Sequence, residues 1–371
     1  MSEPVSRRLP DFPWDQLAEH AARARAHPDG IVDLSVGTPV DPTPDVVRRA
    51  LEAASDSPGY PQTVGLPETR SAAVDWLARR HGVTGLDVDG VLPVIGTKEL
   101  IASLPLQLGI GPGDTRGLPR AGLPDVRGRC GAGGSPWRRD RLADRFGPER
   151  PSVLWLNSPS NPTGQVLAVD HLRKVVDWCR ERGTLLVSDE CYLECAWEAD
   201  PVSVLHPDVY GGSHDGILSV HSLSKRSNLA GYRCGFVVGD RAVVAELLSV
   251  RKNLGLIEPG PQQVAMAAAL ADDAHAEEQR QCYLARRTIL RSALERAGFR
   301  IDHSEASLYL WSTRGEDCWQ TVTDLAALGI LVAPGTFYGV AGAQHVRVAL
   351  TATDERVAAA ASRLNQAPGA A

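Results

Sequence analysis

The chain has 371 residues, of which 43% are hydrophobic and 23% are charged, and its formal net charge is -6. This composition predicts a globular protein of about two domains, and the negative charge argues against the concentrated basic surface that nucleic-acid binding requires. No apolar run approaches the roughly 18 residues that would cross a bilayer, and the first residues lack the apolar core of a signal peptide. We therefore expect a cytoplasmic protein that acts on small molecules, with no nucleic-acid or membrane partner.

The cysteines and histidines do not form a recognisable metal site. Seven cysteines stand at scattered positions, which is typical of reduced thiols rather than of a disulfide framework. Cys191 and Cys195 are close in sequence, but no other cysteine or histidine completes a ligand set, and the ten histidines lack the paired spacing of a zinc site. We predict no metal.

In chain order, the first clear helix is predicted over residues 43–54, with Thr43 as its cap and Pro44 in its first turn. Short apolar runs then alternate with amphipathic helices. The candidate strands are VLPVI (91–95), SVLWL (152–156), TLLVS (184–188), ILSVH (217–221) and CGFVV (234–238). A helical pattern that ends at Gly183 joins the second and third strands, which predicts a parallel crossover unit. Such units form an α/β sheet that is covered on both faces and binds ligands beyond the carboxyl ends of its strands.

After Pro259 the pattern changes. A helical stretch over about residues 261–297 leads into the apolar segments FRIDH, SLYLW, ILVAP and HVRVAL, with a helix near residues 319–328 and another at the end. This mixture predicts a smaller α+β domain, and the early strand IVDLSV is expected to pack against it. The predicted division is an N-terminal arm with part of the small domain over residues 1–42, a large domain over residues 43–260 and a small C-terminal domain over residues 261–371.

Polar residues follow three of the predicted strands at the points where the strands end. Asn161 lies in the loop NSPSNPTG after SVLWL, Asp189 directly follows TLLVS, and Ser222 and Lys225 directly follow ILSVH. Most lysines are solvated surface charges. A lysine at a sheet edge beside Asp189 and Tyr192 can instead be partly desolvated, and its amine is then a usable nucleophile toward aldehydes.

The motifs HSLSKRSNLAGYRCG, LNSPSNPTG and SDECYLE together resemble those of the class I/II aminotransferases, the fold-type I pyridoxal-phosphate enzymes, in order and in spacing. The resemblance extends from DLSVGTP near residue 34 to HVRVALTAT near residue 350. It implies a three-layer large domain with a mainly parallel seven-stranded sheet, a smaller α+β domain, and a homodimer with shared active sites. It also implies pyridoxal 5'-phosphate as the cofactor.

The resemblance assigns a role to each strand-end residue. It makes Lys225 the lysine that holds the cofactor as a Schiff base and moves the Cα proton as general base and acid. Asp189 pairs with the pyridine nitrogen, so that the ring stays an electron sink. Asn161 and Tyr192 bond the phenolic oxygen of the cofactor, and Tyr192 is counted with the catalytic residues.

By the same resemblance, Ser222 and Arg233 bind the cofactor phosphate. The segment IGTKEL places Gly96, Thr97 and Lys98 at the start of a helix after VLPVI, where backbone N–H groups favour an anion.

Two further assignments concern the neighbouring subunit and the substrate. Tyr60 resembles the tyrosine that reaches the cofactor phosphate of the other subunit, which requires a dimer. Arg347 resembles the arginine that clamps the substrate α-carboxylate, with the Gly37 backbone and Asn161 nearby. Taken alone, each of these residues has an ordinary reading as a cap, a turn or a surface charge, and it is their joint occurrence that favours a cofactor site.

The segment from Asp114 to Arg145 departs from the family. It holds eight arginines, six glycines and no tyrosine or phenylalanine, and it does not predict a strand or a helix. Leu123 stands before Pro124, where the family has an aromatic ring that stacks on the cofactor. A shifted reading frame or a genuine basic surface loop would each give this composition, and loss of the ring predicts weak cofactor retention.

The motif wording is similar to that of actinobacterial succinyldiaminopimelate aminotransferases of lysine biosynthesis. This implies amino-group transfer between N-succinyl-LL-2,6-diaminopimelate and 2-oxoglutarate. Lys98, Arg226 and Tyr309 are candidate contacts for the distal groups. The alternatives are a class I aminotransferase for aspartate, alanine or aromatic acids, a lyase of the same fold, or an inactive homologue.

Overall fold

The structure is a computed structural model that describes residue 7, residues 11–111 and 150–366, and the backbone of residues 116–118 and 137–139. Leu123, Pro124 and most of the atypical segment 114–145 lie outside the described residues. The strands in chain order are β1 (Val32–Asp33), β2 (Val91–Ile95), β3 (Arg116–Leu118), β4 (Trp137–Arg139), β5 (Val153–Asn157), β6 (Leu185–Asp189), β7 (Ile217–Ser222), β8 (Cys234–Gly239), β9 (Arg300–Asp302), β10 (Tyr309–Thr313), β11 (Ile330–Leu331), β12 (Ala333–Pro334) and β13 (Val346–Ala349).

A seven-stranded sheet in the order β2-β8-β7-β6-β5-β3-β4 forms the centre of the molecule. Its strands run parallel except for β8, which is antiparallel to both of its neighbours. The five strands predicted from apolar runs are confirmed, with ends that differ by no more than one residue. The expectation of no strand in the segment 114–145 is wrong at β3 and β4, because backbone hydrogen bonds continue the sheet beyond β5 without a strand-like side-chain pattern.

Helices flank the sheet and fill the chain between its strands. In chain order they are α1 (Ala18–Arg25), α2 (Asp45–Ala53), α3 (Pro67–His81), α4 (Thr97–Gln107), α5 (Val169–Arg182), α6 (Pro207–Tyr210), α7 (Leu223–Arg226), α8 (Arg241–Leu254), α9 (Gly260–Ala271), α10 (Ala274–Arg296), α11 (Cys318–Ala327) and α12 (Asp354–Gln366). The predicted crossover unit is confirmed, since α5 joins the parallel strands β5 and β6 and ends at Gly183.

Two helix boundaries differ from the prediction. Thr43 does not cap α2, because Pro44 keeps an extended backbone (φ -57°, ψ 145°) and the helix begins one residue later, at Asp45. The predicted helix over residues 261–297 is interrupted between α9 and α10. There the Asp272 carboxylate accepts the backbone N–H of His275 at 2.9 Å and so starts a new helix.

A second, antiparallel sheet in the order β12-β13-β10-β9 forms the core of the C-terminal part. The N-terminal strand β1 pairs in parallel with β11, so the start of the chain packs with its end. The division at residues 42 and 260 stays a prediction, which this pairing supports.

The sheet topology brings the predicted polar residues to one edge. Asn157 and Asp189 are register partners at the carboxyl ends of β5 and β6, and Asp189 also pairs with Val220 of β7. The loops that follow these three parallel strands therefore meet at the same place.

Candidate active site

A cavity of about 740 Å³ lies at this edge of the sheet, which is large enough for a cofactor and a small substrate together. Most of the predicted site residues line it, namely Gly37, Thr97, Lys98, Asn161, Asp189, Tyr192, Ser222, Lys225, Arg233 and Arg347. Gly96 stands directly beside this set. Tyr60 does not line the cavity of this chain.

Lys225 enters the cavity from α7, the short helix after β7. Ser222 begins that helix, and its hydroxyl accepts the backbone N–H of Ser224 at 3.1 Å. The Lys225 amine donates a hydrogen bond to the backbone carbonyl of Gly37. The amine is thereby held at the boundary between the sheet edge and the N-terminal segment.

Asp189 is a buried acid at the end of β6, with 5% of its surface exposed. Its carboxylate accepts the backbone N–H of Cys191 at 3.2 Å. Burial raises the pKa of the Asp189 carboxyl, and the hydrogen bond from Cys191 opposes that rise. A buried carboxylate with one backbone partner favours a protonated ring nitrogen as its counterion.

Asn157 fixes the two loops relative to each other. Its side-chain amide donates to the Asp189 carbonyl at 3.0 Å, and its side-chain oxygen accepts the Asn161 N–H at 2.7 Å. Sequence reasoning missed this residue, although it is the first asparagine of the LNSPSNPTG motif.

Arg347, at 3% exposure, joins the small sheet to the cavity. Its guanidinium donates to the Asn161 side-chain oxygen at 3.0 Å and to the Ser35 carbonyl at 2.7 Å, and it lies 4.0 Å above the ring of Tyr309. Arg347 Nε has no hydrogen-bond partner in the described part of the chain. The backbone contact of Arg347 in this loop is therefore Ser35, whereas Gly37 serves Lys225.

Another part of the cavity wall, at the start of α4, forms a cradle for an anion. Helix α4 begins at Thr97, and its N-cap Gly96 has a positive φ of 72°. A Cβ at Gly96 would lie 2.1 Å from Arg233 Nη2, so only glycine lets the guanidinium pack against this helix start. Backbone N–H groups, the Arg233 charge and the hydroxyls of Thr97 and Ser222 converge here, which fits a phosphate group.

A second buried charge cluster lies behind this cradle. Arg251 is fully buried and forms a two-pronged ion pair with Glu99 of α4, at 2.9 and 3.0 Å. Glu258 is 2% exposed, and neither of its carboxylate oxygens has a hydrogen-bond partner among the described residues. Burial raises the pKa of Glu258 to about 8, although the charges of Arg233 and Arg251 oppose the rise.

The model of the family described as aminotransferase class I and II matches residues 29–364. This chain is a class I/II aminotransferase. The transaminase OxyQ of Streptomyces rimosus, named for 4-dedimethylamino-4-oxo-anhydrotetracycline, is 60% identical over 96% of this chain and 99% of its own length. The probable aminotransferase Rv1178 of Mycobacterium tuberculosis is 61% identical over 97% of this chain and 86% of its own.

Solved structures share the fold. A probable N-succinyldiaminopimelate aminotransferase from Thermus thermophilus has a TM-score of 0.84 and 28% identity, over 96% of this chain and all of its own. The present aminotransferase is accordingly a pyridoxal-phosphate enzyme that acts on amino acids and 2-oxo acids. The buried Asp189, the Gly96 cradle and the Lys225 amine fit that cofactor.

The part of the aminotransferase cavity wall formed by the N-terminal segment, here called the substrate side, carries two aromatic rings. Phe12 and Trp14 come from the N-terminal segment, and the Trp14 ring lies 5.3 Å from that of Phe337 in the small domain. Lys98 lies on the same side, with its amine 5.8 Å from the centroid of the Phe12 ring. Sequence reasoning missed both aromatic residues, because the segment DFPW shows no periodic pattern and no family motif.

Arg226 does not reach the cavity, whereas Tyr60, which is predicted to reach the site of a second subunit, lies on the surface. Arg226 points away from the cavity, where it is buried against Glu194 and donates to the Ala269 carbonyl at 2.8 Å. It follows Lys225 directly in α7, and successive helical residues face different directions. The Tyr60 ring is fully exposed on this chain.

No helix in the described residues is long and apolar enough to cross a membrane. The same part of the chain holds no group of three or more histidine, cysteine or acidic residues that could bind a metal ion.

Proposed function

We propose that this aminotransferase transfers an amino group between N-succinyl-LL-2,6-diaminopimelate and 2-oxoglutarate, in diaminopimelate and lysine biosynthesis. One observation carries the proposal: two cationic side chains line the cavity besides Lys225 and Arg233, namely Arg347 of the small sheet and Lys98 of α4. Both substrates carry an α-carboxylate and a distal carboxylate. The name of the Thermus relative supports the same substrate.

When bound, pyridoxal phosphate supplies an aldehyde that condenses with amines and a ring that accepts the electron pair released at Cα. In the proposal Lys225 holds the cofactor and then moves the proton between Cα and the cofactor carbon, since its side chain lines the cavity. Asp189 keeps a proton on the ring nitrogen, and Asn161 and Tyr192 bond the phenolic oxygen.

The remaining residues position the reacting groups. Arg233, Ser222, Thr97 and the backbone of Gly96 to Lys98 hold the phosphate. Arg347 binds the α-carboxylate through its planar fork, which is already aimed by Asn161 and Ser35.

We also propose a homodimer in which Tyr60 completes the site of a second copy. A fully exposed tyrosine is an unusual surface residue unless it meets a partner, because its ring buries a large apolar area on contact. We also propose a cytoplasmic location, because the scattered cysteines of the sequence are typical of reduced thiols.

A second candidate is the transamination of a bulky polycyclic ketone. The aromatic wall of Phe12 and Trp14 favours it, and so does the 60% identity to the tetracycline transaminase. Flat fused rings stack well on such a wall.

The visible spectrum of the loaded enzyme separates these functions. N-succinyl-LL-2,6-diaminopimelate and glutamate are each expected to convert the cofactor to its pyridoxamine form, and 2-oxoglutarate to reverse the change. Conversion by glutamate alone would reject the first substrate and leave the polycyclic ketone or an aspartate, alanine or aromatic donor for profiling. Release of ammonia would indicate a lyase, and a protein without a cofactor band would be an inactive homologue.

A further inference from the structure

Two buried tyrosines meet between the two sheets at the cavity. Tyr192 follows β6 of the large sheet, and Tyr309 begins β10 of the small sheet. Their hydroxyl oxygens are 3.1 Å apart, and the residues are 6% and 3% exposed. Their rings meet edge to face, with centroids 5.8 Å apart. A hydrogen bond between phenols therefore links the two parts of the molecule at the active site.

The surroundings of Tyr309 are shaped for this contact. A Cβ on Gly37 would lie 2.2 Å from the Tyr309 hydroxyl, so any other residue at position 37 would displace the phenol. The Arg347 guanidinium lies 4.0 Å above the Tyr309 ring. A cation over a phenol ring draws electron density from it and makes its O–H a better donor.

The direction of the hydrogen bond follows from counting protons. A phenol has one O–H to donate and can accept through its oxygen. In the proposed function the Tyr192 hydroxyl donates a hydrogen bond to the phenolic oxygen of the cofactor. Its own oxygen is therefore available to accept a hydrogen bond from Tyr309. The result is a chain of two donors that ends on the cofactor, and each bond in such a chain strengthens the next.

We propose that Tyr309 is a positioning residue that strengthens the hydrogen bond of Tyr192 to the cofactor and thereby lowers the pKa of the Lys225–cofactor linkage. The inference rests on the role given to Tyr192 in the proposed function. Hydrogen bonds that stabilise negative charge on the phenolic oxygen weaken the hold of the linkage on its proton. Burial raises the pKa of the Tyr192 hydroxyl, so Tyr192 stays protonated and can donate this hydrogen bond.

This assignment changes the part played by the Tyr309 hydroxyl. As a distal contact for the substrate, it would have to be available in the cavity. In the structure the Tyr309 hydroxyl instead bonds the Tyr192 hydroxyl, and the Tyr309 ring is the surface on which Arg347 lies.

The test is a pH titration of the visible absorbance of the loaded enzyme. Tyr309→Phe keeps the ring under Arg347 and removes only the hydroxyl, and it is expected to raise the pKa of the linkage by about 0.3 to 1 unit. Tyr192→Phe is expected to raise it further. The double variant should titrate like Tyr192→Phe alone, because Tyr309 acts through Tyr192.

Tyr338→Phe is the matched control, since the Tyr338 ring also lies against Arg347, at 4.8 Å. It is expected to leave the pKa unchanged. An unchanged pKa in Tyr309→Phe beside a raised one in Tyr192→Phe would overturn the inference and leave the proposed function intact. Equal, additive shifts from the two tyrosines would also overturn it. An unchanged pKa in Tyr192→Phe would instead contradict the role of Tyr192 in the proposed function.

Discussion

The two sides of the cavity are built in different ways. On the cofactor side, Asn161, Asp189 and Lys225 lie at or just after the ends of parallel strands, and hydrogen bonds of Asn157 join the loops that carry the first two. On the substrate side, Arg347 bonds Ser35, which is 312 positions away in sequence, and Trp14 packs on Phe337 of the small domain. The residues of the cofactor side are thus placed by the ends of one sheet, with a single hydrogen bond from the Lys225 amine to Gly37 of the N-terminal segment. The substrate side depends on how the N-terminal segment meets the small sheet. We expect changes on the first side to abolish chemistry and changes on the second to alter substrate preference.

The largest effect is expected on the cofactor side, at Lys225. Lys225→Ala should lower turnover by about 10² to 10⁴ through loss of proton transfer alone. Borohydride reduction and peptide mapping should place the pyridoxyl label on Lys225 in the wild type and on no residue in the variant. The control Lys98→Ala, on the substrate side, should keep the label. A label on another side chain of the fully loaded wild type would contradict the assignment.

Arg347 contacts both sides of the cavity, and its replacement should weaken substrate binding without releasing the cofactor. Arg347→Lys is expected to lower kcat/KM about 100-fold or more, because an ammonium lacks the planar fork and leaves the carboxylate poorly paired. Steady-state kinetics gives the ratio, and cofactor absorbance should persist. Arg356→Lys, on the exposed surface of α12, is the control. Cofactor loss with an unchanged KM would place Arg347 on the cofactor side instead.

This contrast also explains what could be predicted from the sequence. The strands β2 and β5 to β8 were predictable because strands buried on both faces of a sheet read as short apolar runs. The residues after them were predictable because cofactor chemistry restricts their type. Phe12 and Trp14 were not predictable, since an apolar wall accepts many side chains and these two depend on contacts with Phe337 and Lys98. The direction of the Arg226 side chain depends on α7, a helix of only four residues. The sequence of so short a segment does not specify a helix.

A change at Glu258 tests whether the buried carboxyl behind the phosphate cradle is neutral in the folded protein. Its pKa is raised from an ordinary value of 4.5 to about 8, so the folded protein holds a proton there. Stability is therefore full below the ordinary pKa and declines as pH rises toward 8. Glu258→Gln should remove this decline. The difference in unfolding free energy, variant minus wild type, should therefore increase by on the order of 2 kcal/mol between pH 6 and pH 9. Denaturant unfolding at the two pH values measures the gain.

The control for that measurement is Glu68→Gln, at an exposed position in the first turn of α3. Its stability difference from wild type should be the same at both pH values. A pH-independent difference for Glu258→Gln as well would mean that Glu258 is ionised in the folded protein and that an undetected cation balances it.

The smallest effect is expected at the aromatic wall, and it bears most directly on the substrate. Trp14→Ala removes a ring that lines the cavity and packs on Phe337. In the proposed function a succinylated diamine or a polycyclic ketone would extend to this wall, whereas glutamate is shorter. KM for the larger substrate should therefore rise about fivefold to tenfold, since an aromatic contact is worth about 1 kcal/mol beyond burial, while KM for glutamate stays unchanged. Trp178→Ala, on α5, should change neither value. An equal rise in KM for large and small substrates would show that Trp14 only supports the small domain. A wall that selects substrates by length would affect the two differently.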